Sequence, residues 1–259
     1  MRERTTGDVL FRVVSPAALA AALVALWWVG VASTTKPVMP TPLQVALGFG
    51  ELVRKGLLLK YAVASLFRVT WGYLLAVGLG IPLGLTLGWF ALAYAAVNPT
   101  IQVLRPISPI AWTPIAILWF GVSDLSPIFL IFLSTFFPVV VASAAAVGQI
   151  DRVYIRSAIN FGIKGYDLFR KVILPASVPQ ILTAMRVSLG VAWLVVVAAE
   201  MIAVNSGLGF LIVDSRNAGN RYDLVVAGMV FIGLIGLVLD LLMRQLERIK
   251  EFEWGFLGG

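Results

Sequence analysis

Six apolar stretches, each near the ~20 residues a helix needs to cross a hydrocarbon layer, dominate this 259-residue chain. They run over about 13–32, 62–90, 97–121, 125–147, 182–204 and 224–243. In lipid every backbone N–H and C=O must be satisfied within the structure, so apolar runs of this length read as helices. Composition agrees: 60% of residues are hydrophobic and only 13% charged, with a mean hydropathy of +0.95. Soluble domains lie near half apolar and a quarter charged, so a soluble α/β enzyme and a disordered chain are both excluded. The third stretch is interrupted by Pro106, Pro109 and Pro114. Such breaks are tolerated at membrane depth where they face protein or a water-filled cavity.

The chain has no cysteine and no histidine. Disulfides, zinc-type sites, Ser-His and Cys-His catalysis and histidine proton relays are therefore ruled out. A phosphate-binding P-loop needs Gly-Lys followed by Ser or Thr, and no Gly-Lys dipeptide occurs. Nor does any carboxylate pair sit in a polar segment beside a plausible base. These absences argue against an enzyme and for part of a pore or transporter.

Orientation follows from Lys and Arg, which accumulate on the cytoplasmic side. With six spans both termini share a side. That side, holding the N-terminal tail, the 148–181 loop and the C-terminal tail, carries eleven of the twenty; the other carries six, and Arg68, Arg105 and Arg186 lie within spans. Both termini are placed in the cytoplasm. The expected organisation is a cytoplasmic tail over 1–12, a first span with an outer connector over 13–61, a core over 62–243 containing the 148–181 loop, and a cytoplasmic tail over 244–259. The first span reads as an uncleaved anchor: its apolar run is long for a signal peptide, and Trp27 and Trp28 crowd its end. In the connector, Thr41 as N-cap and Pro42 at the first helical position open a short amphipathic helix on the outer surface.

The 148–181 loop is the informative segment. Val153 to Phe161 has helical spacing and meets Gly162, a helix-ending residue. A second run from Tyr166 to Ile173 is expected to close at Pro175. A short helix, a glycine turn and a second helix projecting from the membrane suit insertion into a groove of a partner.

These residues resemble the loop of permease subunits of binding-protein-dependent ABC importers, whose pattern is Glu-Ala-Ala, three residues, Gly, nine residues, Ile-x-Leu-Pro. Here Arg156-Ser157-Ala158, Gly162 and Val172-Ile173-Leu174-Pro175 stand in that register, with Arg for Glu and Ser for Ala. Further likeness lies in the run from Ser65 to Tyr73, in Pro106 to Pro114 followed by Leu118-Trp119-Phe120-Gly121, and in Ala199-Glu200-Met201 with Gly207-Leu208-Gly209. Within the importers the chain looks most like the nitrate, sulfonate, taurine and bicarbonate branch, which also holds permeases for pyrimidine-type vitamin precursors.

The resemblance implies an all-α membrane protein with the type I ABC importer permease fold, about six transmembrane helices and a cytoplasmic coupling helix. It implies an inner-membrane, multi-pass permease, not itself an enzyme and binding no cofactor. A second permease copy would complete a homodimer, two ATP-binding subunits would hold ATP and Mg, and an extracytoplasmic solute-binding protein would deliver a small anion; lipid is the surrounding medium and nucleic acid has no part. The coupling residues are expected to be Ile155, Arg156, Ser157, Ala158, Ile159, Phe161 and Gly162, with Leu174 and Pro175 closing the motif. The alternatives are a permease for a pyrimidine-type vitamin precursor and a self-contained anion channel or carrier.

Several residues carry two readings. Gly72, Ala76, Gly80, Gly84 and Gly88 recur every four residues, giving either close helix packing or a sliding seam. A charge at the centre of a span costs about 2.5–3.5 kcal/mol on insertion scales, so Arg68, Arg105, Arg186 and Glu200 must face a cavity, a partner charge or the interface. Arg105, beside Gln102 and the Pro106 break, is the leading pathway residue. Glu200 is either protonated or paired with an arginine, with a pathway role as the rival reading. Arg186 reads as structural or pathway-lining. Trp112 and Trp119 line the path or anchor at the interface. Asp240 is interfacial.

Overall fold

The computed structural model describes residues 6–34 and 39–247. Helices account for all regular structure among them: α1 (Thr6–Ala32), α2 (Pro42–Arg54), α3 (Leu57–Trp89), α4 (Ala91–Leu104), a 3-10 turn (Pro109–Trp112), α5 (Thr113–Phe120), α6 (Leu125–Gly148), α7 (Arg152–Asn160), α8 (Gly165–Leu168), a π turn (Phe169–Ile173), α9 (Leu174–Ala203), α10 (Leu208–Asn217) and α11 (Tyr222–Glu247). Four helical rods are long and apolar enough to cross a membrane: 57–89, 125–148, 165–203 and 222–247. The fifth apolar segment is the α4–α5 pair, and α1 carries the apolar stretch Ala18–Ala32. The ends of both expected tails, 1–5 and 248–259, lie outside the described residues.

Two expectations change. The third stretch is not one straight span: α4 and the Pro109–Phe120 segment meet at 83°. Pro106 and Pro109 lack amide donors, and Ser108 ahead of Pro109 adopts ψ 128, as a residue before proline is steered to do. The second change concerns Pro175, which does not close the helix before it. A π turn over Phe169–Ile173 leads straight into α9, with Pro175 in its first turn. Gly165–Ala203 is thus one 39-residue rod.

The chain forms two compact units, 1–59 with 212–231, and 60–211 with 232–259. In the first, Thr41 caps α2 through a reciprocal box with Gln44. Its hydroxyl accepts from Gln44 N at 3.3 Å, and Gln44 Oε1 accepts from Thr41 N at 2.8 Å. α2 is tied to the start of α11 by Arg221, which bridges Glu51 at 2.6 Å and Asp223 at 2.8 Å. The hydrogen bond from Arg221, then that from Lys55, holds the Glu51 carboxyl below its ordinary value of 4.5. A depressed folded pKa gives stability that is present above the unfolded value and lost as pH falls through the folded one. The tether should therefore be constant near neutrality and loosen only below about pH 4.5. Amide exchange across α2, corrected for intrinsic rate, should rise there in the parent protein and show no such acid step in Glu51→Gln; an equal step in both would mean another group controls it.

The second unit is built on close approach of α3 and α6. A Cβ added to Gly72 would lie 2.7 Å from Ile131 Cγ2, and one on Gly84 2.5 Å from Val140 O and 2.6 Å from Ser143 Cβ. At Gly88 it would lie 2.8 Å from Ala144 O. Ala76 is wholly buried in the same stripe. The four-residue repeat is a packing seam, and α3 runs on through Pro82. Leu85, Ala146, Val147, Ile173 and Ile181 form one apolar cluster beside it, with Leu174 packed against them.

Candidate coupling surface and translocation groove

Local rules set α7 on display. Asp151 caps it, its carboxylate accepting from Val153 N at 2.9 Å. At the far end Gly162 N donates to Ile159 O and Ile163 N to Ala158 O, both at 3.0 Å. That is a Schellman closure with Gly162 at C′ and φ +81°, a left-handed conformation that glycine adopts without steric cost. Ala158 is buried and Ile155 half-buried, so these two hold α7 to its own chain. Arg156, Ser157 and Ile159 face outward. So do Val153, Tyr154, Phe161 (85% exposed) and Tyr166 (74% exposed). The apolar outer face therefore includes Val153, Tyr154 and Tyr166, which periodicity alone did not single out. Leu174 and Pro175 are half-buried in α9 and fasten the loop's exit. Its base is held by Trp89 against Phe169, ring centroids 5.6 Å apart.

The broken third segment opens a groove along α6 and α9. Its larger part, about 640 Å³, is lined by Arg105, Pro138, Ala142, Ala176, Gln180, Thr183, Val187, Ser188 and Val191, among others. A contiguous part of about 210 Å³ shares Arg105, Pro138 and Val191 and reaches Trp112. Gln102 is exposed, one turn before the break and within 3.4 Å of Asn98. Trp119, by contrast, is exposed and sits edge-on to Phe129 at 5.8 Å. Gln180, Thr183, Val187 and Val191 follow one another at helical spacing along α9. Its only mark in the sequence is the polar pair Gln180 and Thr183 at the head of an apolar run.

The other intramembrane charges are paired. Arg68 and Glu200, both almost completely buried, meet at 2.7 Å. Glu200 also accepts from the Ser65 hydroxyl at 2.8 Å and from Gly209 N at 3.0 Å. Arg68 reaches Asp124 at 2.7 Å and Ser206 O at 2.7 Å. Of the readings open for Glu200, pairing with an arginine is what the geometry shows, and Glu200 lines neither part of the groove. The 207–209 turn needs its glycines for steric reasons: a Cβ on Gly207 would collide with the Glu200 carboxylate, and one on Gly209 with Val197 O. Arg186 binds Asp240 at 2.7 Å and Glu247 at 3.2 Å, joining α9 to α11. Asp124 and Ser206 were invisible as partners of Arg68 in the sequence because they lie 56 and 138 residues from it, and Ser65 as a partner of Glu200 because it lies 135 residues away.

An exposed amphipathic helix, a groove beside a broken apolar segment and ion pairs that join Arg68 and Arg186 to acidic partners fit a membrane-embedded transport subunit. The family described as "Binding-protein-dependent transport system inner membrane component" matches residues 77–250, and the chain belongs to it. A Bacillus subtilis relative named for aliphatic sulfonates transport, the permease SsuC, is 37% identical over 91% of this chain and 86% of its own. The nitrate import permease NrtB of Synechocystis is 32% identical over 92% of this chain and 89% of its own. The fold is that of the inward-facing MetNI methionine ABC transporter, with a TM-score of 0.63 at 16% identity, covering 71% of this chain and 92% of that one.

Proposed function

We propose that this chain is the membrane-spanning permease of an ATP-driven importer that carries a small anion of the nitrate or sulfonate kind from an outer binding protein to the cytoplasm. The reading makes the permease a homodimer with both termini in the cytoplasm. Two ATP-binding subunits, which hold the ATP and Mg, dock on the α7 face. The observation that carries it is the pairing of family likeness over about nine-tenths of the chain with a short helix that leaves large apolar residues uncovered around the side packed on its own chain. Val153, Tyr154, Ile159 and Phe161 are the few large anchors from which an interface draws most of its energy. Relatives named for sulfonates and nitrate favour an anion over a pyrimidine-type vitamin precursor.

Gly162 supplies the test. A β-branched residue is strained at its positive φ, at a cost of order 1–3 kcal/mol, and would unwind the end of α7. Gly162→Val should lower ATP-driven uptake by about tenfold while the chain still inserts and the ATPase still turns over. Normal uptake by that variant would remove α7 from the coupling path. A chain that purifies without any ATPase and conducts anions without nucleotide would replace the importer with a channel.

A further inference from the structure

The groove beside Arg105 has a chemistry of its own. Of the three arginines within the apolar segments, Arg68 and Arg186 are in ion pairs, whereas Arg105, whose backbone N–H donates to Ile101 O at 2.9 Å, has no ion pair or hydrogen bond from its guanidinium among the described residues. Among the described residues no acidic side chain lines either part of the groove, so the Arg105 charge is unopposed there. Its volume, about 640 Å³, falls in the range of small-molecule sites.

The remaining walls narrow the ligand. The Thr183 hydroxyl already donates to Pro179 O at 3.2 Å and the Ser188 hydroxyl to Met185 O at 2.9 Å. Gln180 Nε2 donates to Gln149 at 2.7 Å, which leaves its second N–H. In the larger part, side-chain donors to an anion therefore come from the Arg105 fork and one amide hydrogen, and the smaller part adds the Trp112 indole N–H. The rest of the lining is proline, alanine and valine, Pro138, Pro179, Ala142, Val187 and Val191 among them, a wall that offers no polar side chain. An ion that is polar all round gains nothing from that wall, whereas an alkyl chain does.

We propose that this groove is a transient subsite for organic oxyanions with an alkyl tail, the sulfonate head on Arg105 and the tail along the α6–α9 wall. The proposal rests on the importer reading and narrows its solute to organosulfonates rather than inorganic nitrate. A single unpaired cation also meets the need of a pathway for binding that is easily reversed.

The absence of cysteine from the chain makes the test clean. Thr183→Cys in the full chain, with its partners, in membrane vesicles, should react with water-soluble methanethiosulfonates bearing either an ethylsulfonate or an ethyltrimethylammonium group. Adding Arg105→Gln should lower the anion-to-cation rate ratio by about tenfold, because losing one charge slows one probe and speeds the other. Arg105→Lys should preserve most of the ratio. Butanesulfonate should protect the thiol where equal nitrate does not, and each added methylene should lower the half-protecting concentration about two- to fourfold. A ratio indifferent to residue 105, or a thiol that no reagent reaches, overturns the subsite. Equal protection by nitrate overturns the tail. Protection that follows the phosphatidylglycerol content of the vesicles, and not added sulfonate, assigns the groove to lipid and also overturns it. Each of these failures with ATP-driven uptake intact leaves the importer reading standing; loss of the ATPase partner sinks that reading whatever the thiol reports.

Discussion

Arg68→Met should be among the most damaging single changes in the protein, lowering its stability by about 3–5 kcal/mol, the cost of removing one partner from a buried ion pair. The cause is what remains. Glu200, wholly buried, would keep only the Ser65 hydroxyl and Gly209 N as hydrogen-bond donors, too little to replace a guanidinium at 2.7 Å. Asp124 would suffer less, because its side chain is 59% exposed and water can take over. Removing both members of a buried pair is often close to neutral, so Arg68→Met with Glu200→Leu should recover most of the loss. Thermal unfolding of the purified protein, followed by tryptophan fluorescence, measures both. A double variant no better than the single one would show that the ion pair is not what the site needs.

Gly84→Leu should prevent the core from forming. Even its Cβ would lie 2.5 Å from a backbone oxygen of α6, and helix backbones cannot yield as a flexible side chain does. Overpacking typically costs 1–3 kcal/mol. Here the two helices would have to part along a seam that also includes Gly72, Gly80 and Gly88, so the expected cost is at or above the top of that range. The control lies on the same helix: a Cβ on Gly78 meets nothing within 4 Å, so Gly78→Leu should be tolerated. Yield of monodisperse protein from matched membranes separates the two. Equal yields would show that the α3–α6 distance is set elsewhere, and altered solute preference with unchanged yield would place the face on the pathway.

Hydropathy was enough to find the apolar segments, because burial in lipid acts on length and composition. Capping chemistry placed Thr41 and Gly162 correctly, since both act within a few residues along the chain. What failed to show was geometry that depends on distant or accumulated structure. Three prolines marked the third segment as broken, but not that its halves meet at 83°. Pro175 read as a terminator because proline removes a helix hydrogen bond and steers the residue before it away from the α region; here it falls in the first turn of α9, directly after the π turn. Charges in the spans were visible, but their partners were not: Arg68 and Glu200 are 132 positions apart. The groove stripe on α9 was present as Gln180 and Thr183 in an apolar run, yet only the fold sets Arg105 beside it.

The rod from Gly165 to Ala203 joins the exit of the projecting loop to the residues around Glu200 in 39 residues, about 58 Å at the helical rise. Over that length a tilt of only five degrees about one end displaces the other by roughly 5 Å, close to one helical turn. The loop helix and the buried Arg68–Glu200 pair therefore sit at opposite arms of a lever. In the proposed importer, a stiff rod of that length would carry a small movement of the loop to the Arg68–Glu200 region without a chain of side-chain contacts.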